Sequence, residues 1–328
     1  MKNNTINVTE ESFASLTALW KSPNRLDWNS IFVLPAWMQA WWQEFGRSEK
    51  PYFLNIKQGE ETVGIAPLLI KGKNASFVGN ADVCDYLDFI LTPGLGKDFF
   101  NTLLDDLKKR GVRQLDLGAV RTDSTVMTFL VPLAREKGYE VSTKQEAVSV
   151  ELALPDTYDK YLALLEGKQR HELNRKFRNA AAEGKLNYRI VNDPAELNKT
   201  LSDFFKMFTE SRHDKAVFLT TDMATYFRSL VDATADIGLA RFGVLDLDYV
   251  PVAMVLYFDY RDCIYLYNSG YDPRYESHSA GLLCKVMGIQ ASIESGKKVF
   301  NFLKGNEIYK YRLGGKEVPL YRCSINIG

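Results

Sequence analysis

One stretch in the second half of the chain decides the fold prediction. Residues 263–303 read CIYLYNSGYDPRYESHSAGLLCKVMGIQASIESGKKVFNFL. The apolar run Cys263–Asn268 predicts a strand, the polar run Tyr271–His278 a loop, and Ala280–Ser295 a helix. A second apolar run, Val299–Leu303, predicts the strand that follows. This order predicts an α/β unit in which a loop and the start of a helix follow the end of a strand.

Two more apolar segments precede this stretch, Leu239–Leu245 and Val250–Tyr257. Because the connections between successive segments are short, the three strands are predicted to form an antiparallel meander.

The two halves of the chain resemble each other. In each half a helix ends in glycine, at Gly111 and at Gly296, and leads into an apolar strand. Small residues and strand order recur in parallel as well. We infer a degenerate duplication of one α/β unit, with predicted domains at residues 1–153 and 154–328.

Length and composition exclude several classes of protein. The chain has 328 residues, of which 46% are hydrophobic and 25% charged, values typical of globular domains. Lys plus Arg (41) equals Asp plus Glu (41), so the formal net charge is zero. A neutral molecule has no overall attraction for nucleic acid, and we expect no DNA partner.

Metal ligands and membrane segments are also not expected. The four cysteines form no CxxC pair and the three histidines are isolated, so the sequence predicts no metal site. The start, MKNNTINVTEESF, lacks the apolar core of a signal peptide, and the longest apolar runs are only strand-length. We therefore expect a cytoplasmic protein without integral membrane contact.

The first candidate site is the helix start that follows the loop. The first amides of a helix lack intrahelical partners, and small residues there let a phosphate approach closely. The candidate donor-binding residues are Arg274, Ser279, Ala280, Gly281, Leu282 and Leu283. A plain serine N-cap explains the same pattern, and is the commoner case, so local sequence leaves both interpretations open.

The second candidate is the segment FLKGNEIYKYRLGG, residues 302–315. Between Gly296 and Arg322 there are seven Lys or Arg residues against two Glu, an excess that suits an anionic ligand or an oxyanion. A solvated charged terminus is the alternative. Alternation along an extended chain would place Tyr309 and Tyr311 on one face and Lys310 on the other.

The third candidate is a basic helix, GKQRHELNRKFRNAAAEGK. It carries six Lys or Arg between Lys168 and Lys185, including Arg170 and Arg175, which are candidates for phosphate contacts. A solvated amphipathic face explains such a run equally.

The fourth candidate lies in the first half, where Asp82, Asp85 and Asp88 surround Tyr86. Such carboxylates bind an amine or act as a base. Alternatively, they cap backbone N–H groups in a polar loop. The sequence contains no GxSxG, GxxxxGK[ST] or GxGxxG motif, which disfavours serine hydrolases, P-loop enzymes and Rossmann dehydrogenases.

The order of five segments resembles a known family. GIAPLLI, VGNADVCDYLDF, KQRHELNRKFR, YNSGYDPRYESHSAG and FNFLKGNEIYKYRLGG are similar to segments of FemAB-like acyltransferases of the GNAT superfamily, including CelD-like proteins. The resemblance implies an α/β (α+β) fold of two tandem GNAT-like domains, with mixed, largely antiparallel sheets flanked by helices. It implies a donor site in the second domain and a degenerate first domain on the acceptor side.

The resemblance also implies an activity. An N-acyltransferase would move an acyl group from acyl-CoA, such as acetyl-CoA, to the amine of a small molecule or envelope precursor by direct attack. Lys310 would stabilise the oxyanion, with Glu307 or Tyr309 helping proton removal. The residues expected to contact substrate are Asp85, Tyr86, Asp88, Tyr271, Asp272, Arg170 and Arg175.

Two alternatives remain open at this stage. A FemABX-like enzyme would take aminoacyl-tRNA as donor and a cell-wall precursor as acceptor. A catalytically silent protein would keep the fold and bind a partner through its tryptophan-rich start, since fold alone does not imply activity. Packing on a sheet is the simpler explanation of the aromatic helix predicted at Pro35–Gly46.

Overall fold

The computed structural model describes residues 6–328, so the first five residues of the predicted domain 1–153 lie outside the described part. The chain divides into two compact units. The second unit is Ser149–Glu317, and the first contains the residues before it together with Val318–Gly328. The last strand of the chain thus supplies residues to the first unit, a return that no local pattern in the sequence indicates.

The first unit is built on a sheet in the order β1-β2-β3-β4-β6-β13, with β5 paired to β3. Neighbouring strands are antiparallel except for the parallel pair β4 and β6. The strands are β1 (Ile6–Glu11), β2 (Pro51–Gln58), β3 (Glu61–Lys71), β4 (Asn74–Phe77), β5 (Ile90–Leu91), β6 (Gln114–Arg121), β7 (Glu140–Ala153, which continues into the second unit) and β13 (Lys316–Asn326). The helices are α1 (Phe13–Lys21), α2 (Pro35–Trp41), α3 (Gly96–Lys109) and α4 (Val131–Glu136), with a 3-10 turn at Ile31–Val33 and π-helical turns at Trp42–Gly46 and Val126–Leu130.

Aromatic and aliphatic side chains fill the core of the first unit. In α3, Phe99, Phe100 and Leu103 recur at helical spacing and are fully buried. Trp37 and Trp41 of α2 are buried too, as the packing interpretation of the tryptophan-rich helix predicts.

The second unit is a sheet in the order β7-β12-β11-β10-β9-β8. Its strands, besides the end of β7, are β8 (Leu186–Val191), β9 (Ala240–Leu247), β10 (Val250–Tyr260), β11 (Cys263–Tyr271) and β12 (Val299–Lys304). Its helices are α5 (Tyr158–Leu164), α6 (Gly167–Glu183), α7 (Pro194–Ser211), α8 (His213–Phe218), α9 (Thr221–Ala235), α10 (Ala280–Glu294) and α11 (Ile308–Arg312), with a 3-10 turn at Pro273–His278. Strands β9, β10 and β11 are antiparallel neighbours, so the predicted meander is confirmed.

Strands β11 and β12 are parallel, and they pair over a short distance. Their register covers three residue pairs, Cys263–Val299, Ile264–Phe300 and Tyr265–Asn301. Beyond these pairs, β11 continues to Tyr271 along its antiparallel neighbour β10. The carboxyl ends of strands at which the pairing stops are the usual place for a ligand in an α/β sheet.

One local prediction is wrong. The alternation Tyr309, Lys310, Tyr311 predicts an extended chain, but residues 308–312 form the helix α11. The Lys310 amide donates to the Glu307 carbonyl, and the Lys310 side chain folds back onto the end of β12. A contact made by a buried cation therefore overrides the alternating pattern.

Candidate active site in the second unit

The loop after β11 is held by its own side chains. The Asp272 carboxylate accepts from the Arg274 amide at 3.0 Å and from the Arg274 guanidinium at 2.6 Å. This hydrogen bonding lowers the pKa of Asp272. Asp272 therefore begins the 3-10 turn, and Arg274, whose side chain is 79% exposed, is held at the surface beside it.

Two backbone amides at the start of α10 donate to no acceptor in the described part of the chain. Ser279 adopts a left-handed conformation with φ of 57°, and its carbonyl accepts from the amides of Leu282 and Leu283. Within residues 6–328, the amides of Ala280 and Gly281 make no hydrogen bond. Of the amides predicted to face a phosphate, that of Gly281 is available, and those of Leu282 and Leu283 are used within the helix.

Tyr271 packs directly against this helix start. A methyl group built on Gly281 would lie 3.1 Å from Cδ1 of Tyr271, closer than a relaxed contact. The glycine therefore lets the end of β11 and the first turn of α10 approach each other.

A lysine that the sequence analysis did not select completes the helix start. Nζ of Lys176, on α6, donates to Oγ of Ser279 at 2.6 Å and lies 3.4 Å from Oε1 of Glu172. A cation and open amides at a helix N-terminus both favour an anion. The signal in the sequence is the basic run of α6, but its pattern does not show which of its cations points to α10.

Lys310 is the most buried of the predicted catalytic residues, with 2% of its side chain exposed. Its Nζ donates to the carbonyls of Leu303 at 3.0 Å, Lys304 at 2.8 Å and Gly305 at 3.2 Å. It also lies 3.0 Å from Oε2 of Glu307, which is half exposed. These bonds hold a strained turn, because Leu303 has a φ of 63°, which is rare for a branched residue.

The oxyanion role of Lys310 stays a prediction. Four oxygens, the carbonyls of Leu303, Lys304 and Gly305 and Oε2 of Glu307, already surround the three ammonium protons, so contact with a reacting oxygen requires that at least one of these partners be exchanged.

Tyr309 and Lys285 form a stacked pair near this turn. Nζ of Lys285 lies 5.1 Å from the ring centre of Tyr309 and donates to the Gly281 carbonyl at 3.0 Å. Burial raises the pKa of Tyr309 well above its usual value, so its hydroxyl keeps its proton near neutral pH. Burial lowers the pKa of Lys285 to about 8. A sequence signal for Lys285 exists, since it is the single charge in α10 before Glu294.

The basic helix α6 carries the other predicted cations. Arg175 forms two 2.8 Å hydrogen bonds with Glu172, and Nη1 of Arg170 lies 3.4 Å from the Leu162 carbonyl. A surface cleft of about 690 Å³ is lined by Lys168, Gln169, His171, Glu172, Arg175, Arg178 and Arg312. The helix thus offers several cations to solvent at one cleft, as the phosphate interpretation and the solvated-face interpretation both allow.

The acidic candidates belong to the first unit. Asp88 is buried and accepts from the Thr125 amide at 2.8 Å, from Nδ2 of Asn29 at 2.9 Å and from the Phe89 amide at 2.9 Å. Burial raises its pKa to about 6. Asp88 therefore caps backbone amides, as the alternative interpretation predicts. Tyr86 is buried beneath the Arg121 guanidinium, 5.0 Å from its ring centre, and Asp85 is partly exposed. Substrate contact by these three residues stays a prediction.

Comparison with known proteins finds a match within the second unit. Residues 167–311 match the model of a protein family described as "Acetyltransferase (GNAT) domain". Over this stretch the second unit is similar to GNAT domains. The helix start at Ser279, the lysine on α6 and the turn held by Lys310 all lie within this GNAT match.

Solved structures extend the likeness to the whole chain. A crystal structure of FemX matches with a TM-score of 0.64 and 14% identity, over 97% of this chain and 96% of the other. A tandem GNAT protein from the clavulanic acid biosynthesis pathway matches with a TM-score of 0.50 and 11% identity, over 99% of each chain. The C-terminal domain of a putative lysylphosphatidylglycerol synthetase from Agrobacterium fabrum matches with a TM-score of 0.53 and 12% identity, over 80% of each chain.

Identities this low show the fold alone. The chain has the tandem GNAT fold, and the predicted fold class and the resemblance to FemAB-like GNAT proteins are confirmed at that level. The comparison with curated proteins found no match. In residues 6–328, every helix is too short or too polar to cross a membrane.

Proposed function

We propose that this protein is an N-acyltransferase that moves an acyl group from acyl-CoA to an amine acceptor. The observation that carries the proposal is the hydrogen bond from Lys176 to Ser279, beside the open amides of Ala280 and Gly281. This cation and these amides lie inside the stretch that matches the GNAT family. They suit the pyrophosphate of a CoA thioester, because a helix N-terminus and an ammonium both bind phosphate oxygens.

The crevice between β11 and β12 supplies a path for the acyl arm. The two strands separate after three residue pairs, and α10 begins just past the end of β11. A thioester held at the helix start would reach between the strand ends toward the turn held by Lys310. Close placement of the thioester and the amine supplies a large part of the rate enhancement in a direct transfer.

The reaction needs no covalent enzyme intermediate. The amine nitrogen attacks the thioester carbonyl, a C–N bond forms, and the C–S bond breaks to release the thiolate of CoA. The amine loses one proton and the thiolate gains one. Tyr309, whose hydroxyl carries its proton at neutral pH, is the proposed donor of the proton to the thiolate. Glu307, half exposed beside Lys310, is the proposed acceptor of the amine proton.

Binding of the donor tests the proposal directly. We expect CoA and acetyl-CoA to bind the full chain in isothermal titration, and Lys176→Met to weaken both by about tenfold or more, since a hydrogen bond to a charged group contributes about 1.5–3 kcal/mol. Lys185→Met, which removes an exposed cation just past the same helix, is the matched control and should bind normally. No binding of either ligand to the wild type would overturn acyl-CoA as donor.

A second candidate function uses aminoacyl-tRNA as donor. The cleft on α6 exposes four cations, and the FemX and lysylphosphatidylglycerol synthetase likenesses are compatible with it. If tRNA binds there, its affinity should fall steeply with salt, because each phosphate contact releases counterions. A charged tRNA that binds weakly with no salt dependence would remove this candidate.

A further inference from the structure

Two lysines, Lys285, which is buried, and Lys215, which is partly exposed, lie near the end of β11 and the first turn of α10. Nζ of Lys215, on α8, donates to the Ser269 carbonyl near the end of β11 and lies 5.0 Å from the ring centre of Phe208. Lys285, on α10, is 9% exposed, and its Nζ donates to the Gly281 carbonyl beside Tyr271. Both lysines therefore border the crevice proposed to hold the acyl group.

Neither ammonium is neutralised by the protein. Each makes one hydrogen bond, to a backbone carbonyl, although an ammonium carries three protons. In the described part of the chain, no carboxylate lies within ion-pair distance of either Nζ. Two protons on each lysine remain to be donated.

The nearby carboxylates are already paired. Glu307 forms its ion pair with Lys310, and Asp214 accepts two hydrogen bonds from Arg212, at 2.9 and 2.8 Å. This region thus contains four cations, Lys215, Lys285, Lys310 and Arg212, and two carboxylates, Glu307 and Asp214. The excess positive charge lies on Lys215 and Lys285.

Such an arrangement costs stability. Burial lowers the pKa of both lysines to about 8, and each ammonium is disfavoured further by a neighbouring cation. Buried charges in folded proteins are normally paired. Energetically unfavourable groups that persist are characteristic of binding and catalytic sites, where a ligand supplies the missing partner.

We propose that Lys215 and Lys285 bind an anionic group, a carboxylate or a phosphate, carried by the substrate next to the point of transfer. The inference rests on the proposed acyl transfer and names its substrate class: either the acyl group or the amine acceptor is acidic. The proposed anion contact uses Lys215 and Lys285, whereas the proposed pyrophosphate contact uses Lys176 and Ser279.

The test measures anion binding with the donor site occupied. The full chain is saturated with CoA, and succinate and inorganic phosphate are titrated by calorimetry. We expect at least one anion to bind the wild type, and Lys215→Met and Lys285→Met each to weaken it about tenfold or more. Methionine keeps the aliphatic length of lysine, and Lys199→Met, an exposed lysine on α7, is the control that should change nothing.

Two substrate arms distinguish the source of the anion. Succinyl-CoA is compared with butyryl-CoA as donor, and phosphoethanolamine with ethanolamine as acceptor. In one of these two comparisons the wild type should prefer the acidic compound, and Lys215→Met and Lys285→Met should lose that preference. That comparison shows whether the donor or the acceptor carries the anion.

The outcomes separate this inference from the proposed function. If CoA binds but succinate and phosphate bind the wild type and both variants equally, or bind none of them, the inference fails and the acyl-CoA proposal stands. The same holds if Lys285→Met alters only the pH profile of turnover, since that assigns Lys285 to proton transfer. If CoA does not bind, and anions titrated into the protein alone bind through the two lysines, the donor assignment fails instead.

Discussion

Nζ of Lys176 lies 2.6 Å from Oγ of Ser279, across 103 positions of sequence. The contact joins the middle of α6 to the residue that precedes α10. It brings one cation of a basic helix to the residue that precedes α10, while Arg175 of the same helix forms its hydrogen bonds with Glu172. The positive character of this helix start therefore has two sources, the amides of α10 and an ammonium from another helix.

Crowding the start of α10 should weaken donor binding. In Gly281→Ala, the added methyl would lie 3.1 Å from Cδ1 of Tyr271 and next to the open amide. We expect CoA to bind about tenfold more weakly in calorimetry. The steric cost of the contact with Tyr271 opposes the helix preference of alanine over glycine, about 1 kcal/mol, so urea denaturation of the same variant checks that folding is intact.

The matched variant for this test is Gly288→Ala, two turns along the same helix. Its methyl would lie 3.1 Å from the Tyr188 hydroxyl, so it has a similar steric cost without touching the helix start. Equal CoA affinity in the two variants would argue against a donor site at Gly281.

Removing the Lys310 ammonium should destabilise the second unit. In Lys310→Met, three carbonyls lose their donor and Glu307 loses its ion partner. Glu307 is half exposed and regains water, but a buried carbonyl left without a donor costs about 1–3 kcal/mol, so the free energy of unfolding should fall by about that amount or more. Urea denaturation should show this loss, with Lys199→Met unchanged. If stability is instead retained and turnover falls about 10²–10³-fold, Lys310 acts on the oxyanion as the sequence analysis predicts.

Asp88 should contribute to the stability of the first unit rather than to donor binding. In Asp88→Asn, the amide keeps one acceptor oxygen, and its NH₂ group faces donors such as the Thr125 amide. We expect the free energy of unfolding to fall by about 1–3 kcal/mol, measured by urea denaturation, with CoA affinity unchanged. Unaltered stability combined with a raised KM for the amine would instead assign Asp88 to substrate contact.

The free energy of unfolding should depend on pH through the ionisation of Lys285. Its pKa is about 8 in the folded chain, below its ordinary value of 10.5. Between these values the unfolded chain binds more protons, so this lysine makes the free energy of unfolding rise with pH. Lys285→Met should therefore melt a few degrees higher than the wild type at neutral pH, and the difference should shrink toward pH 10.5.

The groups facing Lys285 do not reverse this sign. They are Cys284 on its own helix, Glu307, Tyr309 and Lys310 around α11, and Lys215 on α8. Cys284, whose pKa is raised to about 12, stays neutral across the window, and Lys215 titrates in the same direction as Lys285. A difference in melting temperature that is constant from neutral pH to pH 10.5 would show that the pKa of Lys285 is the same in the folded and the unfolded chain, which contradicts the prediction.

The local sequence pattern was sufficient to predict much of the fold. The helix α10 and the strands β9, β10 and β11 are readable because apolar period and turn residues act over a few positions. The stretch Ser279–Gly281 was found for the same reason, since the residues that shape a helix start are adjacent in sequence. Lys285 also left a signal, as a lone charge in an apolar helix.

The amino-acid sequence by itself determined which segments become strands and helices, and that small residues stand where α10 begins. Tertiary structure alone decided that β12 pairs with β11 for three residues, that Lys176 meets Ser279, and that Lys310 folds a predicted strand into a helix. The physical reason is that burial and electrostatic pairing depend on which distant segments pack together. That packing decides whether a charged side chain has a partner within the protein or is left to bind a ligand.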